Sequence, residues 1–283
     1  MSESATFFKM HVCGNDFMVV DATSTRLEFN IEKIRNWSDR RKGIGFDQLL
    51  VLGQPTATEH DFTLQIYNSD GSAAEQCGNG CAAVFAMART LELTSSETVA
   101  LDTPGGVVGC RLGSMHPLRI AVQMRPPKPH TALAPYQSSN DDYLHSIYLP
   151  SPMDRSVEAY VLSLGNPHAV VFVDDVERCD LESLGIALQS HELFPNSTNV
   201  EILQHGDRSI GHLRIFERGV GETLACGSGA CAAVVAGRLA GVFDDRVAIH
   251  MPGGRVSVEW RGAKEPVVLE CQPEFVFKGT LSG

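Results

Sequence analysis

Two short stretches hold the residues of this chain best suited to chemistry. Cys77-Gly78-Asn79-Gly80 and Cys226-Gly227-Ser228-Gly229 each place a cysteine ahead of a Gly-x-Gly turn. Each turn runs into an Ala-rich apolar stretch, over 81–88 and 230–236, which reads as a helix apolar on nearly every side and hence buried. A cysteine at such a helix start sits where amide N–H groups and the helix dipole stabilise a thiolate. The glycines let backbone N–H groups approach a carboxylate closely. Together these features suit inversion at a carbon bearing an acidic hydrogen. One thiolate removes the proton and one thiol delivers a proton to the opposite face. A thiol, with an unperturbed pKa of about 8.5, can take either role near neutrality. The sequence holds no fingerprint for pyridoxal phosphate, a nucleotide or a metal, so the reading takes no cofactor and leaves the carbanion to the protein itself.

Rival readings use the same cysteines. Cys77-x3-Cys81 and Cys226-x4-Cys231 invite a zinc site, but the second cysteine of each pair falls inside an apolar helix rather than a loop. A redox dithiol lacks its C-x-x-C spacing. Cys81, Cys110, Cys179, Cys231 and Cys271 read as small buried hydrophobes.

The elements that position the two cysteines repeat. Strands are predicted over 7–11 and 17–21 around Cys13-Gly14-Asn15-Asp16, a helix over 31–41, and strands over 49–52 and 62–67 before the first cysteine. After it come strands over 99–102, 107–112 and 118–124. The cluster Arg125-Pro126-Pro127-Lys128-Pro129 and a polar stretch through Asp142 mark a domain boundary. Beyond it the order replays: strands over 159–164 and 169–174 around Gly165-Asn166-Pro167-His168, a helix over 181–191, then strands over 200–203 and 213–216. After the second cysteine, strands over 246–250, 255–260, 267–271 and 274–279 close the chain. Asn15 lies 62 residues before Cys77, and Asn166 lies 60 before Cys226. Asn68 and Glu217 each lie 9 before their cysteine, and Pro104 and Pro252 follow by 27 and 26. These matched offsets predict a duplicated α+β domain. Two pseudo-symmetric domains are expected, each a strongly bent, mainly antiparallel sheet around a buried central helix, with the active site in the cleft between them. The expected boundaries are 1–126 plus about 273–283, and 127–272.

Bulk properties narrow the class. With 283 residues, 43% apolar and 20% charged, the composition is that of a globular protein. A net charge of −11 and a pI near 5.3 argue against nucleic acid or a membrane surface as partner. No apolar run approaches the roughly 18–20 residues needed to cross a bilayer, and the first residues do not read as a signal peptide. Eight scattered cysteines fit a reducing, cytoplasmic location.

The motifs as a set are more specific than any one of them. Met10-His11 with Gly14-Asn15-Asp16-Phe17, Gly45-Phe46-Asp47-Gln48-Leu49, and Gln76-Cys77-Gly78-Asn79-Gly80 resemble diaminopimelate epimerase. So do Gly165-Asn166-Pro167-His168, Glu217-Arg218-Gly219, Gly221-Glu222-Thr223, Ala225-Cys226-Gly227-Ser228-Gly229 and Pro252-Gly253-Gly254-Arg255. The resemblance implies a cofactor-independent epimerase interconverting LL- and meso-diaminopimelate, commonly a homodimer. Cys77 and Cys226 would be its base and acid. It assigns Asn15, Gln48, Asn68, Gly78, Asn79, Asn166, Asn199, Glu217, Arg218, Gly227 and Ser228 to the substrate, and His168 with Glu217 to tuning the thiols. A racemase for another amino acid, such as histidine, and a silent binding or zinc protein on the same fold are the alternatives. Three positions depart from the family pattern. Gly80-Cys81-Ala82-Ala83 lacks the usual arginine, His11-Val12-Cys13 replaces His-Gly-Leu, and Leu224 stands where Gln is usual.

Overall fold

The computed structural model describes residues 5–24, 29–129, 143–262 and 264–281. Most of the polar stretch leading to Asp142 lies outside the described residues. The chain forms two compact units, residues 1–123 with 270–283, and residues 124–269.

In the first unit β1 (Ala5–Val12) and β2 (Asn15–Ala22) form a hairpin. Its two turn residues, Cys13 and Gly14, both take positive φ (50° and 81°), as a two-residue turn matched to strand twist requires. Helix α1 (Ile31–Ser38) leads to β3 (Gln48–Gly53), which runs parallel to β2. α1 stops three residues short of the predicted end. The Asp39 carboxylate accepts from the amides of Arg41 and Lys42, and the amides of Ile44 and Gly45 return to the Trp37 carbonyl. Next, β4 (Phe62–Asn68) pairs antiparallel with β3, and α2 (Gly78–Thr90) crosses to β5 (Thr98–Thr103), parallel to β4. β6 (Gly106–Met115) and β7 (Leu118–Met124) continue antiparallel.

The second unit repeats that order. β8 (Lys128–Pro129) and β9 (Leu144–Leu149), absent from the sequence reading, pair with β10 (Arg155–Ser163). β11 (Pro167–Phe172) is antiparallel to β10, and α3 (Leu181–Gln189) leads to β12 (Asn199–Asp207), parallel to β11. β13 (Ile210–Glu217) pairs antiparallel with β12, and the short β14 (Gly221–Thr223) folds back on it. α4 (Gly227–Leu239) then crosses to β15 (Arg246–Met251), parallel to β13, and β16 (Gly254–Glu259) follows antiparallel. β17 (Val267–Cys271) ends this run, and β18 (Glu274–Leu281) pairs with β1 of the first unit. The antiparallel–parallel–antiparallel–parallel sequence of pairings is the same in both units, with a helix at each parallel crossover.

The two central helices fill their units. Every residue of α2 from Gly78 to Ala88 is buried, as are Gly227 and all residues from Gly229 to Gly237 in α4. Alanine and glycine make this possible, because a narrow helix lets the surrounding strands close on it from several sides. Gly237 is the sharpest instance. A Cβ there would lie 2.1 Å from the Phe243 ring.

Candidate active site

Each unit gathers its predicted residues at one end of its sheet, around the N-terminus of its central helix. In the first unit Cys77 is the N-cap of α2, and its sulfur accepts from the Gly80 amide at 3.2 Å. Gly80 has to be small, because a Cβ there would meet the Leu50 methyls at 3.1 Å and the Cys77 sulfur at 3.2 Å. Asn79 donates to Asn15 Oδ1 at 3.3 Å, tying the helix start to the start of β2. Asn15 in turn donates to Asp47 Oδ2 at 3.0 Å. At the paired ends of β3 and β4, Gln48 donates to Asn68 Oδ1 at 3.0 Å, and Asn68 donates to Ser72. Among the described residues, the buried acceptors Gln48 Oε1 and Asn79 Oδ1 have no hydrogen-bond partner.

Beneath Asn15 lies a charged support that the sequence reading missed. Lys9 donates to Asp16 and to the Gly45 carbonyl, while Arg40 grips Asp16 with two nitrogens and reaches Asp47 at 2.8 Å. Burial alone would raise the Asp16 carboxyl, but Arg40 and Lys9 hold it down at about 2.

The second unit places equivalent positions equivalently. Cys226 is the N-cap of α4, with its sulfur 3.4 Å from Ser228 Oγ. Asn166 donates to Ser228 Oγ at 3.2 Å, matching the Asn79–Asn15 contact of the first unit. Asn199, at the start of β12 as Gln48 is at the start of β3, donates to the Pro167 carbonyl and accepts from the Arg218 amide, each at 3.0 Å. It therefore fixes the turn that presents Arg218. Glu217, the counterpart of Asn68, accepts from Thr223 Oγ1 at 2.6 Å. The Arg218 guanidinium is exposed and makes no ion pair among the described residues, whereas Arg214 nearby is held by both oxygens of Glu222.

The electrostatics of this half favour protonated groups. Burial pushes the Glu217 carboxyl up, against hydrogen bonds from Thr223 and Cys226 that pull it down. Burial, and after it the neighbouring Glu217 charge, push the Cys226 thiol well above its ordinary value. Cys226 is nonetheless only partly covered, as a group that must meet a substrate has to be. In the ligand-free protein Cys226 is therefore a thiol and suits the role of acid.

His168 and Glu201 are both fully buried, and Nδ1 of His168 lies 2.7 Å from Glu201 Oε1. Glu201 was not singled out from the sequence. Its signal was there: one carboxylate among Val200, Ile202 and Leu203 in a strand whose first five residues are all buried. The remaining cysteines behave as core residues where they are enclosed. Cys81, Cys110, Cys231 and Cys271 are buried, and burial pushes Cys110 up to about 12. Cys13 and Cys179 are half-buried rather than core. Among the described residues no group of three or more His, Cys, Asp or Glu converges as metal ligands, and no helix is long and apolar enough to cross a membrane.

Solved structures with this architecture include a hydroxyproline epimerase from Agrobacterium vitis. It matches with a TM-score of 0.73 at 11% identity, over 99% of this chain and 93% of that one. A PhzF-family phenazine biosynthesis protein from Enterococcus faecalis matches with a TM-score of 0.67 at 14% identity, over 99% and 100%. They define the class by its fold, an α+β fold of two pseudo-symmetric domains. The sequence goes further. The family model described as diaminopimelate epimerase matches residues 7–128 and 160–276. The diaminopimelate epimerase of Stutzerimonas stutzeri (strain A1501) is 42% identical over 277 residues, covering 97% of this chain and 98% of that one. That of Pseudomonas aeruginosa is 39% identical over 275 residues, with the same coverage. This chain belongs to the diaminopimelate epimerase family.

Proposed function

We propose that the protein interconverts LL- and meso-2,6-diaminopimelate without a cofactor, in lysine and peptidoglycan-precursor synthesis, with Cys77 and Cys226 acting on opposite faces of one α-carbon. The observation that carries this reading is the matched pair of half-sites, each a cysteine capping a buried helix with an Asn or Ser two residues on. In the direction that starts from a Cys77 thiolate, Cys77 takes the α-proton and Cys226 supplies the new one. The reverse direction exchanges the roles, so the pair passes through two equivalent protonation states. As the proton leaves, charge grows on the α-carboxylate. The amide groups at the helix starts, at Gly78, Asn79, Gly227 and Ser228, are the donors suited to hold it.

The remaining residues sort by charge. Arg218, with no carboxylate of its own, is assigned to the distal carboxylate, where a guanidinium makes a two-pronged contact. Glu217 and the unfilled acceptors Gln48 Oε1 and Asn79 Oδ1 suit ammonium groups, with Asn15, Asn68, Asn166 and Asn199 completing a zwitterionic pocket. His168 and Glu217 set the protonation of the thiols. A cytoplasmic homodimer with no nucleic-acid or membrane partner completes the reading.

Proton exchange tests it. Incubation of LL-diaminopimelate with the purified protein, a thiol reductant and no pyridoxal phosphate in D₂O is expected to give meso product labelled at the inverted α-carbon. Mass spectrometry and NMR read the label. An unlabelled product, or equal labelling of lysine or histidine, would defeat the assignment.

A further inference from the structure

One fully buried carboxylate has no part in the reaction just described. Glu201 lies in β12, and its Oε1 would sit 2.9 Å from a Cβ placed on Gly229. Gly229 thus lets the first turn of α4 close on this carboxylate. Among the described residues its other oxygen, Oε2, is buried with no hydrogen-bond partner, and the Glu201 carboxylate bonds His168 alone.

From there a chain of contacts reaches the reactive sulfur. His168 Nε2 lies 3.1 Å from Asn166 Oδ1, Asn166 Nδ2 donates to Ser228 Oγ at 3.2 Å, and Ser228 Oγ lies 3.4 Å from Cys226 Sγ. The contact with Glu201 holds Nδ1 and with it the plane of the ring. Without that contact the imidazole is free to turn, and the Nε2 contact that sets the Asn166 amide goes with it.

The first unit shows that the fold does not require this dyad. Phe17 pairs with Gln48 across β2 and β3 as His168 pairs with Asn199 across β11 and β12. Leu50 meets the Cβ position of Gly80 as Glu201 meets that of Gly229. Phenylalanine and leucine build the same corner there. We infer that Glu201 is a positioning residue for the proposed epimerisation: it fixes the His168 ring through Nδ1, and so orients Asn166 and Ser228 against Cys226.

The activity arm of the test rests on the epimerase reading, and the spectroscopic arm does not. Imidazole ¹⁵N spectra of the ligand-free protein are expected to show the His168 Nδ1 resonance at the shift of a hydrogen-bonded nitrogen. In Glu201→Leu, which installs the residue type the first unit uses, that resonance is expected to move to the shift of a nitrogen without a partner. The same variant is expected to lose about 10- to 100-fold in kcat, the range seen when partners that orient functional histidines are removed, with KM within about twofold. Glu201→Gln, which can still bond Nδ1, is expected to recover most of the loss. In a double-mutant cycle, Glu201→Leu combined with His168→Asn should be no slower than His168→Asn alone. Additive losses, wild-type kcat in Glu201→Leu, or a His168 Nδ1 resonance that Glu201→Leu leaves unmoved would each overturn the inference. Failure of the wild type to epimerise diaminopimelate would sink the substrate assignment, while the spectra would still decide the His168–Glu201 pairing.

Discussion

The Glu217 charge raises the proton affinity of Cys226, while the hydrogen bond from Cys226 pulls the Glu217 carboxyl down, and that coupling makes their protonation testable residue by residue. Removing the charge in Glu217→Gln takes away the largest electrostatic contribution raising the thiol after burial itself. The apparent pKa of Cys226 should therefore fall, and its thiolate should form at lower pH. Alkylation by iodoacetamide as a function of pH, read by mass spectrometry on the Cys226 peptide, checks the sign; an unchanged or higher apparent pKa would contradict the electrostatic argument. The same experiment separates reactive from enclosed thiols. Cys81, Cys110 and Cys231, fully enclosed and shifted upward by burial, should stay unlabelled in the folded protein. Arg218 gives a second expectation at this scale. Its guanidinium is exposed and has no ion-pair partner among the described residues, so its loss costs the fold little and the substrate much. Arg218→Met is expected to lower kcat/KM by about 30- to 1000-fold, the loss that goes with leaving a bound carboxylate unpaired at about 2–4 kcal/mol. Arg218→Lys should recover only part of it, since an ammonium cannot grip a carboxylate at two points. Steady-state kinetics with thermal melts alongside would distinguish this from unfolding.

At the scale of elements, the reactive residues are held by contacts between strand starts and helix starts. In the first unit Asp16 is the junction, because Lys9, Arg40 and the Asp47 amide all converge on it. Its carboxyl sits at about 2 in the folded protein against an ordinary value of 3.8. A depressed carboxyl stabilises the fold above its unfolded pKa and loses that contribution as pH falls through the folded one. The stabilisation is thus present above about pH 4 and fades towards pH 2. It amounts to about 2 kcal/mol. Asp16→Asn should cost about that much in urea melts at pH 7 and nearly nothing at pH 2, and a pH-independent cost would mean the network is not what stabilises this corner. Most of these elements were legible in the sequence, since glycine turns, alternating strands and two all-apolar helices announce themselves locally. The helix α1 was drawn too long because Asp39 captures the next amides instead of continuing the turn. β8, β9 and β14 were missed because two or three residues, or a strand seen only through its partner, leave no periodic trace. Lys9, Asp47 and Glu201 were missed for a related reason. Each reads as an ordinary charge until the fold shows that it is buried or bridging.

At the scale of the molecule, duplication explains why two cysteines with different neighbours share one design, and it leaves one surface without a counterpart. Phe275, Val276 and Phe277 are consecutive residues of β18, and all three are 40–55% exposed. A bulge skips Val276, so Phe277 lies opposite Lys9 and Phe275 opposite Met10; the two phenylalanines therefore leave this strand on opposite faces, and both faces are open. Phe275 and Phe277 are each braced edge-on against a phenylalanine of β1, Phe8 and Phe7, with ring centres 6.1 Å apart. The apolar surface is therefore rigid as well as exposed. Three successive apolar side chains left open together mark an interaction surface, and the proposed homodimer offers an occupant of matching chemistry. If a second copy covers it, light scattering should give twice the chain mass of 30.7 kDa, and Val276→Glu should shift the protein to the monomer by placing an unpaired charge at the centre of the contact. The substitution touches neither half-site, so the monomer should keep its fold by circular dichroism. A dimer that persists undiminished in Val276→Glu would place the interface elsewhere, and a wild type that scatters as a monomer at micromolar concentration would remove the homodimer from the reading.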